Sequence, residues 1–336
     1  MDPDHADAAM RERIEQALLG DVPQWTAAEV AERSGATLEQ TRRLWRALGF
    51  PEPTEDQPMF TNSDVEALRM LNGFVASGTF SMDILLNLTR GVGQTMSRLA
   101  DWEVATLTPK LDEAAAKIGG DEAAQPEATP LEQAMQVVQH IAPQFETLLL
   151  HAWRRHAAVA VGRAEALANR EENTPSVELS VGFADLVSFT ALTNEIGEIR
   201  IGDLVEVFES RCHDVVAKHN GRVIKSLGDS VLFVVDNAEA ALDIADGIIS
   251  VIGRDPRMPD VRVGLGSGGV VMRMGDVFGP PVNMAARLTT VARRNRVIID
   301  EATAALLPPE RFETRRMPAR PVRGFGLVEP ITVRRR

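Results

Sequence analysis

The hydrophobic rhythm of this chain changes once, close to position 170. Before that point apolar residues recur at spacings of three and four, the period of helices with one buried face. From Trp25 to Pro53 the pattern reads as helix, Ser-Gly turn, helix, with Ala27, Ala28, Val30, Ala31, Leu38, Leu44 and Leu48 as the inner stripe and Trp45 as further core. The stretch FTNSDVEALRMLNGFVASG continues in the same style. Leu131 to Ala168 repeats the spacing but contains Pro143, whose missing amide hydrogen predicts that the helix ends or kinks there. Two seams interrupt the pattern. Asp112 to Pro130, rich in Ala, Gly, Pro and acids, predicts a loose connection, and Asn169 to Pro175 a sharper break.

After Pro175 the texture becomes short strands alternating with helices. VELSVGFADL is a strand running into a turn, and Leu204 to Ala217 a helix with Val205, Phe208, Cys212, Val215 and Val216 inward. NGRVIKSLGDSVLFVV is two strands joined by a Gly-Asp turn, a hairpin signal. Ala238 to Ile252 reads as helix, Val261 to Val271 as strand, Val282 to Arg293 as helix and RVIID as strand. The order β-α-β-β-α-β predicts a ferredoxin-like layer. The chain is therefore expected to be α+β: a helical domain over 1–170, with linker helices at about 131–168, and a second domain over 175–336.

Composition narrows the compartment and the partners. With 44% hydrophobic and 25% charged residues over 336 positions, the chain is long enough for two cores. No apolar run approaches the ~18 residues of a membrane span, and the polar, acidic start does not read as a signal peptide. Cys212 is the single cysteine, which excludes an internal disulfide framework and a Cys-rich zinc site. A cytoplasmic protein is expected, peripheral to a membrane at most. The net charge of −12 argues against polyanion binding over the whole surface.

The candidate chemistry lies in the second domain. Asp185 follows an apolar strand in FADLVSFT, and Asp229 sits in the tight turn of KSLGDSVLF. In a β-α-β-β core the first strand lies beside the hairpin, so both carboxylates can reach one rim of the sheet. Such a pair is a set of hard oxygen ligands suited to Mg²⁺ or Mn²⁺. Taken singly, each also reads as local chemistry, Asp229 serving the turn and Asp185 capping the next helix. In GDVFGPPVNMAARL the prolines open a helix on which Asn283 and Arg287, four apart, share one face. An acid, Asp276, waits just upstream.

FADLVSFT, GRVIKSLGDSVLF and GDVFGPPVNMAARL, in that order, resemble the catalytic domain of the class III nucleotide cyclases over about Val177 to Val333. The resemblance implies an adenylate cyclase that forms 3′,5′-cyclic AMP and pyrophosphate from ATP. It makes Asp185 and Asp229 the ligands of two metal ions per active site, Mg²⁺ or Mn²⁺. Lys225 and Asp276 match the positions that select adenine, and Asn283 and Arg287 the transition-state pair. PVRGFGLVEPITV resembles the closing strands of the domain, with Arg323 where a basic residue near the triphosphate is often found. The chemistry agrees with these types. Lys225 can donate to adenine N1 and Asp276 can accept from the C6 amine, groups that guanine reverses. Family sites are shared between two catalytic domains, so a homodimer through these domains is implied, with a complete set of residues in each chain.

The first half has a rival reading. Its helix-turn-helix resembles the MerR type, and Arg42, Arg43 and Arg46 lie along the second helix, where a DNA reader would place them. Against it, residues 1–100 hold nine Lys/Arg and fifteen Asp/Glu, the wrong balance for phosphate binding. No DNA partner is expected, and a regulatory role for the helical half is. His140, His151 and His156 cluster before the second domain, and histidine titrates near cellular pH. Relatives of this layout respond to pH or bind lipid through the helical half, which makes a proton or a lipid or fatty acid its candidate signals.

Overall fold

Three threonines start three helices of the first half, each closing a capping box with the residue three positions on. Thr26 and Glu29 open α1 (Ala27–Ser34), Thr37 and Gln40 open α2 (Leu38–Ala47), and Thr61 and Asp64 open α3 (Asn62–Ala76). Gly35, at φ 72°, ends α1 in the left-handed conformation that a turn between α1 and α2 requires. The computed structural model describes residues 13, 15–52, 54, 56–118, 130–168, 176–189, 192 and 198–336, without the side chains of 108–118, 130–141, 166–168 and 198–200. The chain divides into two compact units, Met1–Ala164 and Glu165–Arg336.

The first unit packs α1, α2 and α3 with the start of α4 (Met82–Ile118). Ala27, Val30, Leu44, Trp45, Phe60, Val65, Leu68, Leu85 and Leu86 form its core, with Leu38 and Leu48 against it. The expected inner stripe is there except for Ala28, which is exposed. Gly93 of α4 lies so close to the Leu48 carbonyl that a methyl group would sit 2.3 Å from it.

One sequence expectation fails here, and of the two outcomes expected at Pro143 the helix end does not occur. α4 runs to Ile118, well into the seam expected to start at Asp112, because Ala, Glu and Lys are good helix formers. The stretch 131–168 is one helix, α5 (Pro130–Ala168), unbroken at Pro143. Pro143 removes one backbone donor, but its side chain is exposed, and its carbonyl accepts from the Thr147 hydroxyl at 2.9 Å. A helix of this length tolerates one lost bond more readily than an end. The expected break at Asn169–Pro175 and the side chain of His140 lie outside the described residues.

The second unit is built on β1 (Val177–Leu186), α6 (Glu198–Lys218), β2 (Arg222–Ser226), β3 (Ser230–Val235), α7 (Ala238–Gly253) and β4 (Val261–Arg273). This is the expected β-α-β-β-α-β order. It continues as β5 (Asp276–Phe278), α8 (Pro280–Val291), β6 (Arg296–Ile299), α9 (Glu301–Ala305), β7 (Phe312–Arg316), β8 (Arg320–Val322), β9 (Gly326–Val328) and β10 (Ile331–Arg335). The main sheet runs β2-β3-β1-β4-β6-β10-β7, with β5 paired to β4 and β8-β9 a separate hairpin. Among the described residues only β4 and β6 pair in parallel.

One face of the sheet is covered by α6 and α7, whose Phe208, Cys212, Val216, Leu242, Ile244 and Ile248 join Phe233, Val263 and Leu265 in the larger core. Each such side chain contributes about 1.5–3 kcal/mol of burial. The helix α8 seats on β4 through glycines: a methyl group at Gly264 would lie 2.4 Å from the Ala285 carbonyl oxygen, and one at Gly266 2.8 Å from that of Pro281. The Thr289 hydroxyl, in hydrogen-bond reach of the Phe183 carbonyl at 3.3 Å, pins α8 to β1 as well.

Candidate active site

Asp185 is the penultimate residue of β1 and lies opposite Ser230, the first residue of β3. The Leu186 amide donates to the Asp229 carbonyl at 2.9 Å, which brings the β2–β3 turn against the end of β1. The two carboxylates expected to act together are therefore neighbours. Gly228, at φ 68°, makes that turn possible.

A residue that the motifs did not flag completes this corner. Arg262 of β4 lies opposite Asp185 in the ladder, and its Nε and Nη2 donate to Asp185 Oδ2 at 2.7 and 2.6 Å. Burial pushes the Asp185 carboxyl above the usual aspartate range. The Arg262 hydrogen bond and charge pull it back, and the charge of Asp229 raises it again. A cation already rests on this carboxylate, so the corner is built for positive charge. The only sequence signal was strand alternation, which turns Arg262 away from Val261 and Val263. Its partner depends on a register between distant strands.

Lys225 and Asp276 come together from β2 and β5, Nζ to Oδ2 at 2.5 Å, both about a third exposed. Asp276 also accepts from the Val277 amide through Oδ1 at 2.8 Å, which fixes its plane. The pair presents an ammonium beside a carboxylate, an edge with one donor and one acceptor.

Asn283 and Arg287 stand exposed on one face of α8, as their spacing implied. They line an open pocket of about 450 Å³ together with Arg323, Gly324 and Phe325 from the turn of the β8–β9 hairpin. Among the described residues the side chains of Asn283, Arg287 and Arg323 make no hydrogen bond or ion pair, so their donors face the pocket free. The expected residues thus form three groups: Asp185 with Asp229, Lys225 with Asp276, and Asn283 with Arg287 and Arg323.

For divalent metal the donor set fits. Asp185 and Asp229 are hard ligands, and no group of three or more His, Cys, Asp or Glu side chains that could hold a metal occurs among the described residues. Two carboxylates with substrate phosphates completing the shell is the usual manner of Mg²⁺, which keeps few protein ligands.

Comparison with known proteins gives the family. The family described as adenylate and guanylate cyclase catalytic domain matches residues 171–333, and the adenylate cyclase regulatory domain matches residues 6–155. An adenylate cyclase of Streptomyces coelicolor is 36% identical, over 99% of this chain and 93% of that protein. An adenylate cyclase of Streptomyces griseus is 35% identical, over 96% and 88%. Among solved structures, the catalytic core of a rhodopsin-guanylyl cyclase with converted specificity, in complex with ATPαS, is 22% identical over 48% of this chain and 98% of that one, with a TM-score of 0.45. The chain belongs to this family of adenylate cyclases, with a regulatory domain ahead of the catalytic domain. The catalytic domain is of a family that works with divalent metals.

These matches give no support to a DNA-binding regulator. In the structure Arg42 and Arg46 both reach Glu52, at 3.7 and 3.5 Å, and Trp45 is buried in the first core. Nor do the matches support a lipid partner for the first half. His151 and His156 are exposed on α5. No helix among the described residues is long and apolar enough to cross a membrane.

Proposed function

We propose that two copies of this chain convert ATP to 3′,5′-cyclic AMP and pyrophosphate in sites shared between their catalytic domains. The observation that carries this is the convergence of Arg323, from a separate hairpin, on the Asn283–Arg287 face of α8. Three donor side chains with no partner among the described residues gather where a phosphate would need them.

The reaction joins the ribose 3′-oxygen to the α-phosphorus, breaks the bond from that phosphorus to the β-phosphate oxygen, and releases the hydroxyl proton and pyrophosphate. Asp185 and Asp229 of one protomer would hold two divalent ions, Mg²⁺ or Mn²⁺. When bound, such ions acidify the 3′-hydroxyl and neutralise the triphosphate. Arg287 of the other protomer meets the charge that grows on the α-phosphate with a planar fork of donors, and Asn283 orients the ribose. Arg323 holds the triphosphate.

Lys225 and Asp276 read the base. Each already has its partner in the other, so the pocket keeps its donor and acceptor in place before the nucleotide arrives. Adenine matches both groups. Guanine would set its N1 hydrogen against the ammonium and its C6 carbonyl against the carboxylate. The helical half regulates this chemistry by biasing how two catalytic domains meet.

The test is formation of cyclic AMP from ATP by the full chain, with and without divalent metal. Activity should require Mg²⁺ or Mn²⁺ and vanish in Asp185→Ala and in Asp229→Ala while the circular dichroism stays native. Metal-independent turnover in either variant would overturn the assignment of the carboxylates.

A further inference from the structure

The hairpin that delivers Arg323 brings a second side chain to the same pocket, Phe325. Its loop is short: Arg323, Gly324 and Phe325 lie between the paired residues Val322 and Gly326. The Phe325 amide donates to the Val322 carbonyl at 2.9 Å, which closes a turn over residues 322–325. Gly324, at φ 89°, takes the third position of that turn, where a side chain would be strained. Val322 at its base is buried. Phe325 is thus carried on a closed turn, with only two side-chain torsions to fix.

Packing within the chain does not account for this ring. Among the described residues Phe325 joins none of the apolar cores and makes no ring contact with another aromatic or a cation. It is half-buried all the same, and it lines the pocket with Asn283, Arg287 and Arg323. Three of these four side chains are polar donors, and Phe325 is the apolar one. A ring beside two guanidinium groups on a hairpin tip buries little in the chain alone. Its apolar face counts once the pocket is filled.

The proposed reaction has a competitor with the same leaving group. In cyclisation the ribose 3′-oxygen attacks the α-phosphorus, and in hydrolysis a water oxygen does. Either attack breaks the bond from that phosphorus to the β-phosphate oxygen and releases pyrophosphate. Hydrolysis yields AMP, its water protons passing to pyrophosphate and solvent, and it closes no ring across the ribose. Donors that stabilise charge on the α-phosphate assist both reactions, so Asn283, Arg287 and Arg323 do not by themselves choose between them. Excluding water does. We infer that Phe325 determines the choice of nucleophile: its ring is the apolar wall of the Asn283–Arg287–Arg323 pocket and denies water a place from which to attack the α-phosphorus. This inference rests on the proposed function, since it needs ATP in that pocket.

The experiment incubates the full chain with ATP and Mg²⁺ or Mn²⁺ in water labelled with heavy oxygen, and separates the products by chromatography and mass spectrometry. Wild type should form cyclic AMP with little AMP. In Phe325→Ser the ratio of AMP to cyclic AMP should rise by about tenfold or more, the lower end of what one apolar contact contributes to discrimination in a pocket. The label should enter the AMP phosphate and not pyrophosphate. Phe325→Leu keeps an apolar wall and should hold the ratio close to wild type. Both products leave the same sites, so the ratio does not depend on how much of the chain is folded or paired. Should Phe325→Ser prove insoluble, Phe325→Gln, which keeps the bulk but ends in an amide, is read in its place and should leak as well. Cyclic AMP offered to the leaking variant should stay intact, and adding Asp185→Ala to it should abolish AMP. An unchanged ratio in the polar variants overturns the inference, as does an equal rise in Phe325→Leu. So does label in pyrophosphate, breakdown of the offered cyclic AMP, or AMP that survives Asp185→Ala. Failure of wild type to form cyclic AMP at all would instead sink the proposed function, and this inference with it.

Discussion

At the scale of single residues, selection of the base rests on two side chains. Lys225→Glu with Asp276→Cys removes the ammonium donor and the carboxylate acceptor together. The kcat/KM for ATP should fall by tenfold or more and discrimination against GTP should narrow, since unpaired buried polar groups reject the wrong base. Competition assays with both nucleotides measure this, and an unchanged ATP preference would move the selection elsewhere. Asp300 offers a test of stability. It caps α9, accepting from the Thr303 amide at 2.8 Å. Burial above all raises its carboxyl above the ordinary aspartate range, while hydrogen bonds from Thr303 and the Ser267 backbone pull it down. The folded chain therefore binds this proton more tightly than the unfolded one. Its contribution is fully present below the unfolded value, about pH 4, and is lost as pH rises through the folded value. Asp300→Asn removes the dependence, so the stability of wild type minus variant, from urea melts, should decrease as pH rises from about 4 to 7. A constant difference would show that burial is not what governs this group.

At the scale of elements, α8 matters more than any strand because it carries Asn283 and Arg287. Its height above the sheet is set by Gly264, where a methyl group would also lie 2.4 Å from the Thr289 amide nitrogen. Gly264→Ala forces helix and strand apart. Overpacking of this kind costs about 1–3 kcal/mol, or roughly 2–4 °C of melting temperature per kcal/mol in a domain of this size. Activity should fall further than stability, since a shift near 1 Å in a catalytic group can cost ~100-fold. Thermal melts and turnover on the same sample compare the two. A variant with a lowered melting temperature and full activity would mean that α8 keeps its place.

At the scale of the whole molecule, the proposed site needs two chains. Asp185→Ala and Arg287→Ala should each be inactive alone. Mixed, they should recover activity, because one site of the heterodimer would then have both its carboxylates and its arginine. If half the subunits pair as heterodimers with one intact site of two, recovery should approach roughly a quarter of wild type, from random pairing of symmetric dimers. Absence of rescue under proven subunit exchange would place the whole site within one chain.

The sequence alone determined most of the local structure and the residue types of the site. Alternation in VELSVGFADL, the Gly-Asp turn of the hairpin and the i, i+4 spacing of Asn283 and Arg287 act over a few residues, so they survive without knowledge of the fold. The same local logic failed at Asp112, where good helix formers outweighed a compositional seam, and at Pro143 the helix end, one of the two outcomes it allowed, does not occur. Only the tertiary structure decided which distant residues meet. Arg262 reaches Asp185 through a register between β1 and β4, across 77 positions of chain. Arg323 reaches Asn283 and Arg287 because a hairpin outside the main sheet delivers it to their pocket. Contacts of this kind depend on strand order and on how closely glycines let a helix approach a sheet, and neither leaves a periodic trace in the chain.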